Sequence, residues 1–314
     1  MPIRYTLRQL EYFIAVGEAG SIAAASGKVN VSSPSISAAI SQLEKEFGIP
    51  LFVRQHAQGL ALTQAGRTML EQAQTVLREA ERLMNVAGDI SGEVRGPLAV
   101  GCLLTFAQMV LPSIRRSFED IFPDVSMRQF EIDQADIFSK IRRAEIDVAL
   151  TYDLDIPADL RFVTLAKLPP YALLPEGHPL AVHDTLSVTD LRDQPMVLLD
   201  LPFSAEYFLS AFNEHGLRPN IVERTRDMSV MRGLVANGFG YSIANIRPSH
   251  NVSPDGKPLV CVPLDGAVRP MRIGLLMAPE AESSSTIRAF VDHCADLAAH
   301  QALPGVHTAP VSQS

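Results

Sequence analysis

The sequence predicts an α+β multidomain chain: a small helical N-terminal domain, one long linker helix, and a large α/β region of two subdomains. Three observations carry that prediction. Short apolar-periodic segments punctuated by glycine and asparagine fill the first 50 residues, a proline-free run extends from residue 63 to about 89, and strand-like and helix-like runs alternate beyond residue 96. The expected boundaries are 1–63, 64–92 and 93–303, the last divided into subdomain I (about 93–163 and 271–303) and subdomain II (about 167–266), with 304–314 a disordered tail. At 314 residues and 47% hydrophobic, the chain is long enough to bury a substantial core in two or three domains.

In the first segment Leu7, Leu10 and Ile14 recur at three- and four-residue steps beside Phe13, which predicts an amphipathic helix over 7–18. Gly20 ends it, Ser21 is placed to cap a second helix over 22–28, and Asn30 suits the left-handed turn that follows. A third helix starts at Ser32 or Ser33 with Pro34 in its first turn, where a missing N–H costs nothing. Its apolar residues Ile36, Ile40, Leu43 and Phe47 share one face, and Gly48 closes it. With that stripe inward, Ser33, Ser37, Ser41 and Gln42 point away from the core. Hydroxyls, an amide and free first-turn N–H groups on one face suit phosphate or base edges, although serines also cap helices and solvate surfaces. The net charge of −8 is uneven: residues 1–92 hold eight basic and eight acidic side chains, so the remainder carries the whole excess. A front end that is basic relative to the rest points weakly to an anionic partner there.

Residues 7–66, LRQLEYFIAVGEAGSIAAASGKVNVSSPSISAAISQLEKEFGIPLFVRQHAQGLALTQAG, resemble the winged helix-turn-helix of the LysR-type transcriptional regulators. The matching features are Leu7, Gln9, Leu10 and Phe13; Gly20–Ser21; Val31–Ser32, Pro34 and Ser37; Leu43–Glu44; Gly48, Pro50–Leu51–Phe52 and Arg54; and Leu62–Thr63 with Ala65–Gly66. The resemblance implies that the third helix enters the DNA major groove, with Ser33, Pro34, Ser35, Ser37, Ser41 and Gln42 at the interface, and that a wing over 54–62 brings Arg54 to the backbone. Ser33 and Ala38 stand where the family often has glutamine and a long or basic residue. That departure, with a wing poor in arginine, implies fewer phosphate contacts and a shallower salt dependence.

From Thr63, a good N-cap, the run to about Asp89 is rich in Ala, Gln, Glu, Leu and Arg and predicts one long helix. Leu70, Ala73, Leu77, Ala80 and Met84 form a seam of alternating three- and four-residue steps, widened by Met69, Val76 and Leu83. Such a seam fits a coiled-coil partner or the helix's own domain. The resemblance implies the former: a homodimer, or a tetramer built of two dimers, that places paired recognition helices on an inverted repeat.

Beyond Gly96–Pro97, runs at 98–103, 125–130 and 147–151 alternate with helical runs at 106–122 and 135–144, which predicts an open parallel sheet. A second series follows at 171–174, 196–199, 221–224 and 241–244 with helices at 204–215 and 228–237, and the chain returns through 270–277 and a last helix over 286–300. Crossings near 151–167 and 265–272 would enclose a cleft at the carboxyl ends of the strands. Thr105–Phe106 and Phe203–Ser204 fall at that place in each half, a hydroxyl and helix N–H groups for a carboxylate and a ring for an apolar body. The region from 96 to 300 resembles the effector-binding part of LysR-type regulators, itself similar to periplasmic solute-binding proteins, through LPEGHPLA (174–181) and GLVANGFGYSIAN (233–245). The resemblance implies that Thr105, Phe203 and Ser204 line the cleft with Ile132, Tyr152 and Phe239, and that RNA polymerase is a further partner.

His178, His183, Glu214–His215 and His293–Cys294 show no metal-motif spacing and no nucleophile elbow, so neither an enzyme nor a metal or other cofactor is expected. Cys102, Cys261 and Cys294 are too scattered for a disulfide framework and read as buried thiols, and no cysteine falls within 200–220, where a redox sensor of this family would carry its reactive pair. A solute-binding module without transcriptional action, or a redox sensor, is the alternative to a ligand-responsive regulator. No run of eighteen apolar residues and no secretory layout at the N-terminus are present, so a cytoplasmic location and no membrane partner are expected.

Overall fold

Thr6 opens the first helix by a reciprocal cap, its hydroxyl accepting from the Gln9 N–H while the Gln9 side chain accepts from the Thr6 N–H. The computed structural model describes residues 3–55, 59–265 and 269–306. It divides into two compact units, 1–87 and 88–314.

In the first unit α1 (Leu7–Ala19), α2 (Ile22–Val29) and α3 (Ser33–Phe47) stop where the left-handed residues Gly20, Asn30 and Gly48 stand, and Ser21 and Ser32 cap the next starts. Phe13, Val16, Ile36 and Leu43 are wholly buried between the helices. Strands β1 (Phe52–Gln55) and β2 (Gly59–Leu62) pair antiparallel as the wing. The turn into the wing is held by Glu44, whose carboxylate accepts from the N–H groups of Leu51 at 2.7 Å and Phe52 at 3.2 Å. Helix α4 (Gln64–Ser91) begins on the Thr63 hydroxyl, which accepts from the Gly66 N–H at 2.7 Å.

The expected seam on α4 divides. Leu70, Ala73 and Leu77 pack onto the core of their own domain, with Ala73 buried, because three short helices and a hairpin cannot close that core alone. Ala80 is half-buried and Met84 exposed. The apolar residues that α4 leaves in the open are Val76, Leu83 and Ile90, seven residues apart, with Met84 and Val86 beside them.

The second unit holds a five-stranded sheet in the order β4-β3-β5-β12-β6. Strand β3 (Gly96–Cys102) runs parallel to β4 (Val125–Glu131) and to β5 (Val148–Tyr152), whereas β12 (Met271–Met277) is antiparallel to both β5 and β6 (Arg161–Leu168). The sheet is therefore mixed and not all parallel as expected. The stretch read as a crossing, 151–167, contains β6. It leaves for the second subdomain at Leu168, paired with Met271 where β12 returns, and a strand that re-enters at the carboxyl end of its neighbours must run against them. Helices α5 (Leu104–Met109), α6 (Leu111–Ile121) and α7 (Gln134–Arg142) connect these strands, the expected 106–122 helix breaking at Val110.

Subdomain II is built on β7 (Tyr171–Pro175) between β10 (Ser242–Ala244) and β11 (Leu259–Pro263), all antiparallel, and on the parallel pair β8 (Pro195–Leu199) and β9 (Asn220–Thr225). Helices α8 (Val188–Leu191), α9 (Ser204–Asn213) and α10 (Met228–Ala236) cover it, and α11 (Ser285–Ala299) returns to the first sheet. The chain remains packed past residue 303: Val306 is buried and the Gly305 carbonyl accepts from the Arg247 N–H at 3.1 Å. The rest of the expected disordered tail, 307–314, lies outside the described residues.

Gly66 sits where α4 crosses the wing, and a Cβ there would stand 2.1 Å from the Leu51 carbonyl oxygen. Gly66→Ala is expected to destabilise the N-terminal unit by about 1–3 kcal/mol, read as a lower thermal midpoint by circular dichroism on the full chain.

Candidate functional site

Two surfaces gather the residues that sequence reasoning singled out. The first is the outer face of α3. Pro34, Ser35, Ser37, Ser41 and Gln42 are exposed there and Ser33 is half-buried. Ser32 accepts from the Ser35 N–H at 3.4 Å and its hydroxyl lies 2.9 Å from that of Ser35, so the start of the helix is only loosely capped. Small hydroxyl residues keep this face shallow, which lets a helix end approach a polyanion closely. Arg54 lies on β1 opposite Leu60, but its side chain and the wing tip, 56–58, lie outside the described residues.

The second is a cleft of about 290 Å³ between the two subdomains of the C-terminal unit, at the lower end of the range for small-molecule sites. Thr105 reaches it from the start of α5, Ile132 and Gln134 from the β4–α7 junction, and Tyr152 from the end of β5. From the other side come Ser204 at the start of α9, Arg226 and Met228 ahead of and within α10, and Asn245 after β10. Leu201, Phe208, Ile246 and Met271 make its walls largely apolar.

Four helices thus begin at this cleft, and they are not equivalent. Asp133 caps α7 by accepting from the Asp136 N–H at 2.9 Å, and Asp227 caps α10 by accepting from Ser229 at 2.7 Å and Val230 at 3.1 Å. Helices α5 and α9 follow Leu103 and Phe203, which offer no capping side chain. The Thr105 and Ser204 hydroxyls make no hydrogen bond among the described residues, and Arg226 has neither a hydrogen bond nor an ion pair there. The start of α9 is tightly bent: the Ser204 N–H donates to the Pro202 carbonyl at 2.7 Å across Phe203, whose φ of 63° and ψ of −38° are rare for a bulky residue. A positive-φ γ-turn of this kind stores roughly 1–3 kcal/mol of strain.

Thr105, Ile132, Tyr152 and Ser204 therefore meet as expected, and three other residues do not. Phe106 is wholly buried with its ring 4.7 Å from that of Tyr152, on the core side of α5, because one residue along a helix turns a side chain by about 100°. Phe203 turns its ring to Phe138, 5.9 Å away, as the bent backbone directs it from the cleft. Phe239 stands 52% exposed and away from the cleft residues.

Gln134, Arg226 and Asn245 were missed. The Gln134 amide, 2% exposed, donates to the carbonyls of Tyr152 and Leu154 and accepts from the Thr151 hydroxyl, fixing the end of β5. Asn245 donates to the Leu168 carbonyl at 2.8 Å and to the Tyr207 hydroxyl at 3.1 Å, while its buried Oδ1 has no partner. The signal that found Thr105 and Ser204, a polar residue at a helix start after a strand, is equally present at Gln134.

Burial pushes the Cys102 thiol up to about 12, aided by the Glu131 charge, and burial raises Cys261 and Cys294 as well, so all three remain protonated at neutral pH; Cys261 is half-buried, not buried as expected. His178 Nδ1 accepts from the Leu180 N–H and His293 Nε2 pairs with the Ser117 hydroxyl, with burial lowering both imidazoles. Burial also holds the Tyr152 phenol well above its ordinary value, so it meets the cleft uncharged.

A shallow helix end suited to DNA and a two-lobed cleft suited to a small molecule, on one chain, define a ligand-responsive DNA-binding protein. Residues 7–67 match the bacterial regulatory helix-turn-helix protein family of lysR type, and residues 91–299 match the LysR substrate binding domain. The chain belongs to the LysR family of transcriptional regulators, which are not enzymes. It is 30% identical to the Hca operon transcriptional activator HcaR of Escherichia coli over 91% of this chain and 95% of that one. Among solved structures, HinK, a LysR family regulator from Pseudomonas aeruginosa, is 35% identical over 93% of this chain and 98% of that one, with a TM-score of 0.62. Full-length CbnR in complex with its target DNA shares the fold, with a TM-score of 0.70 at 24% identity over 92% of this chain and 98% of that one. The N-terminal unit is accordingly the family's DNA-binding winged helix-turn-helix and the C-terminal unit its effector-binding domain. No described helix is long and apolar enough to cross a membrane.

Because Phe106 belongs to the core, Phe106→Ala is expected to destabilise the C-terminal unit by about 3–5 kcal/mol, measured by denaturant unfolding. A cleft residue would leave stability nearly unchanged.

Proposed function

We propose that this regulator senses a small carboxylate with an apolar or aromatic body. The observation that supports this most is the pair of unpartnered hydroxyls, Thr105 from subdomain I and Ser204 from subdomain II, on one largely apolar cleft with the unpaired Arg226. The two hydroxyls and the Arg226 guanidinium can each donate a hydrogen bond to an anion, and charge-assisted bonds are about twice as strong as neutral ones. Ile132, Met228 and Phe208 supply a surface for the remainder of the molecule.

Since Thr105 and Ser204 belong to different subdomains, a carboxylate held by both binds the closed arrangement more tightly than the open one. That difference is what lets a ligand shift the equilibrium. The exposed residues Val76, Leu83 and Ile90 of α4 are the seam for a second copy, with Met84 at its edge, while Leu70, Ala73 and Leu77 serve their own domain. Pairing there sets two α3 helices on an inverted repeat in the cytoplasm, and a dimer of dimers converts cleft closure into altered spacing of the DNA-binding domains and altered access for RNA polymerase.

Calorimetric titration of a panel of aromatic and aliphatic carboxylates tests the reading. One class is expected to bind, and Thr105→Ala and Ser204→Ala are each expected to weaken it about tenfold or more. The double variant is expected to keep DNA binding and to lose the effector response. Undiminished response in the double variant would remove the carboxylate from this cleft.

A further inference from the structure

A relay of hydrogen bonds fixes which end of the Gln42 amide looks outward from α3. The Thr6 backbone N–H donates to Gln9 Oε1 at 2.8 Å. A backbone N–H can only donate, so that terminal atom of Gln9 is the oxygen and the other is the NH₂ group. This Nε2 in turn donates to Gln42 Oε1 at 2.8 Å. The Gln42 NH₂ is left exposed and without a partner among the described residues. Gln9 itself is half-buried and held twice, since its own N–H donates to the Thr6 hydroxyl at 3.2 Å.

From this relay we infer that Gln9 is a positioning residue that sets the base preference of Gln42. The inference rests on α3 lying in the major groove. With its oxygen engaged from behind, Gln42 faces the groove as a donor. Guanine offers it two acceptors, O6 and N7, adenine and thymine one each, N7 and O4, and cytosine only the N4 donor. Gln42 therefore favours guanine and rejects cytosine on the strand it reads.

The sign of this preference is reversible by one substitution that keeps the fold. Gln9→Glu retains the reciprocal cap of α1, because glutamate serves at that position as glutamine does. An ionised carboxylate only accepts. One oxygen continues to accept from the Thr6 N–H, and the other accepts a hydrogen bond from the Gln42 NH₂, which turns the Gln42 amide round and presents Oε1 to the groove. An outward oxygen accepts from cytosine N4 or adenine N6 and rejects guanine. Gln9→Ala instead releases the amide to adopt either orientation.

Selection of bound duplexes from a randomised library, with the full chain and its Q9A, Q9E and Q42A variants, tests this. In the wild type one position per half-site is expected to favour guanine, and Q42A is expected to lose the preference at that position alone. Q9E is expected to favour cytosine or adenine there by about two- to tenfold, the worth of one net hydrogen bond, with the other positions unchanged. Q9A is expected to flatten the position. The added negative charge of Q9E lowers affinity for every sequence alike, so the readout is base identity and not affinity. The inference is overturned if Q9E and wild type select the same base at that position, or if Q42A selects the wild-type motif while specific binding persists. A wild type that selects no motif overturns it together with the docking of α3 in the major groove.

Discussion

The first N–H groups of an α-helix have no partner within the helix, and what becomes of them decides where this protein can bind. On α1 and α2 they are taken by Thr6 and Ser21, and on α7 and α10 by aspartates. Helix α9 opens on the cleft after a phenylalanine whose side chain can accept nothing, its Ser204 and Ala205 N–H groups turned onto the Pro202 and Leu201 carbonyls, and α3 opens on solvent with a long, weak serine cap. Helix α3 belongs to the family's DNA-binding domain, and the starts of α5 and α9, neither with a capping side chain, line the cleft of its effector-binding domain. With α7 and α10 capped from within, unspent hydroxyls remain on the Thr105–Ser204 side of the cleft.

The cleft exists because the chain passes between its two subdomains at adjacent points. Outgoing β6 ends at Leu168 and incoming β12 begins at Met271, paired with each other. Asn245 and Tyr207 tie the pair together, since Asn245 donates to Leu168 and Tyr207 donates to the Arg269 carbonyl at 2.6 Å. Asp153 adds a second tie, its buried carboxylate accepting from the Arg272 guanidinium at 2.6 Å and the Arg272 N–H at 2.7 Å. Both crossings are thereby anchored while the lobes on either side carry the binding groups, an arrangement suited to hinge closure. The bent backbone at Phe203 places strain at the same edge of the cleft.

Local chemistry was legible in the sequence, and direction was not. Ser21, Asn30, Gly48 and Thr63 act as read because a cap depends on a few neighbouring residues. The alternation of strands and helices beyond residue 96 was readable from period alone. Strand β6 escaped because RFVTLAKL alternates poorly and follows a bulged register against β12, which no local signal marks. Phe106 and Phe203 were assigned to the cleft by their place beside a helix start, but rotation about the helix axis and a positive φ sent both rings elsewhere. On α4 the period marks an apolar face and does not state which partner it meets, and the domain's own core holds the first half of the expected seam.

Footprinting of the DNA flanking the protein's own gene, at two salt concentrations with and without each carboxylate, tests most directly whether the cleft is coupled to DNA. Protection of an inverted repeat that changes in extent or spacing with one acid is the expected result. Sequence-specific protection that stays the same while that acid is bound in the cleft would contradict the coupling.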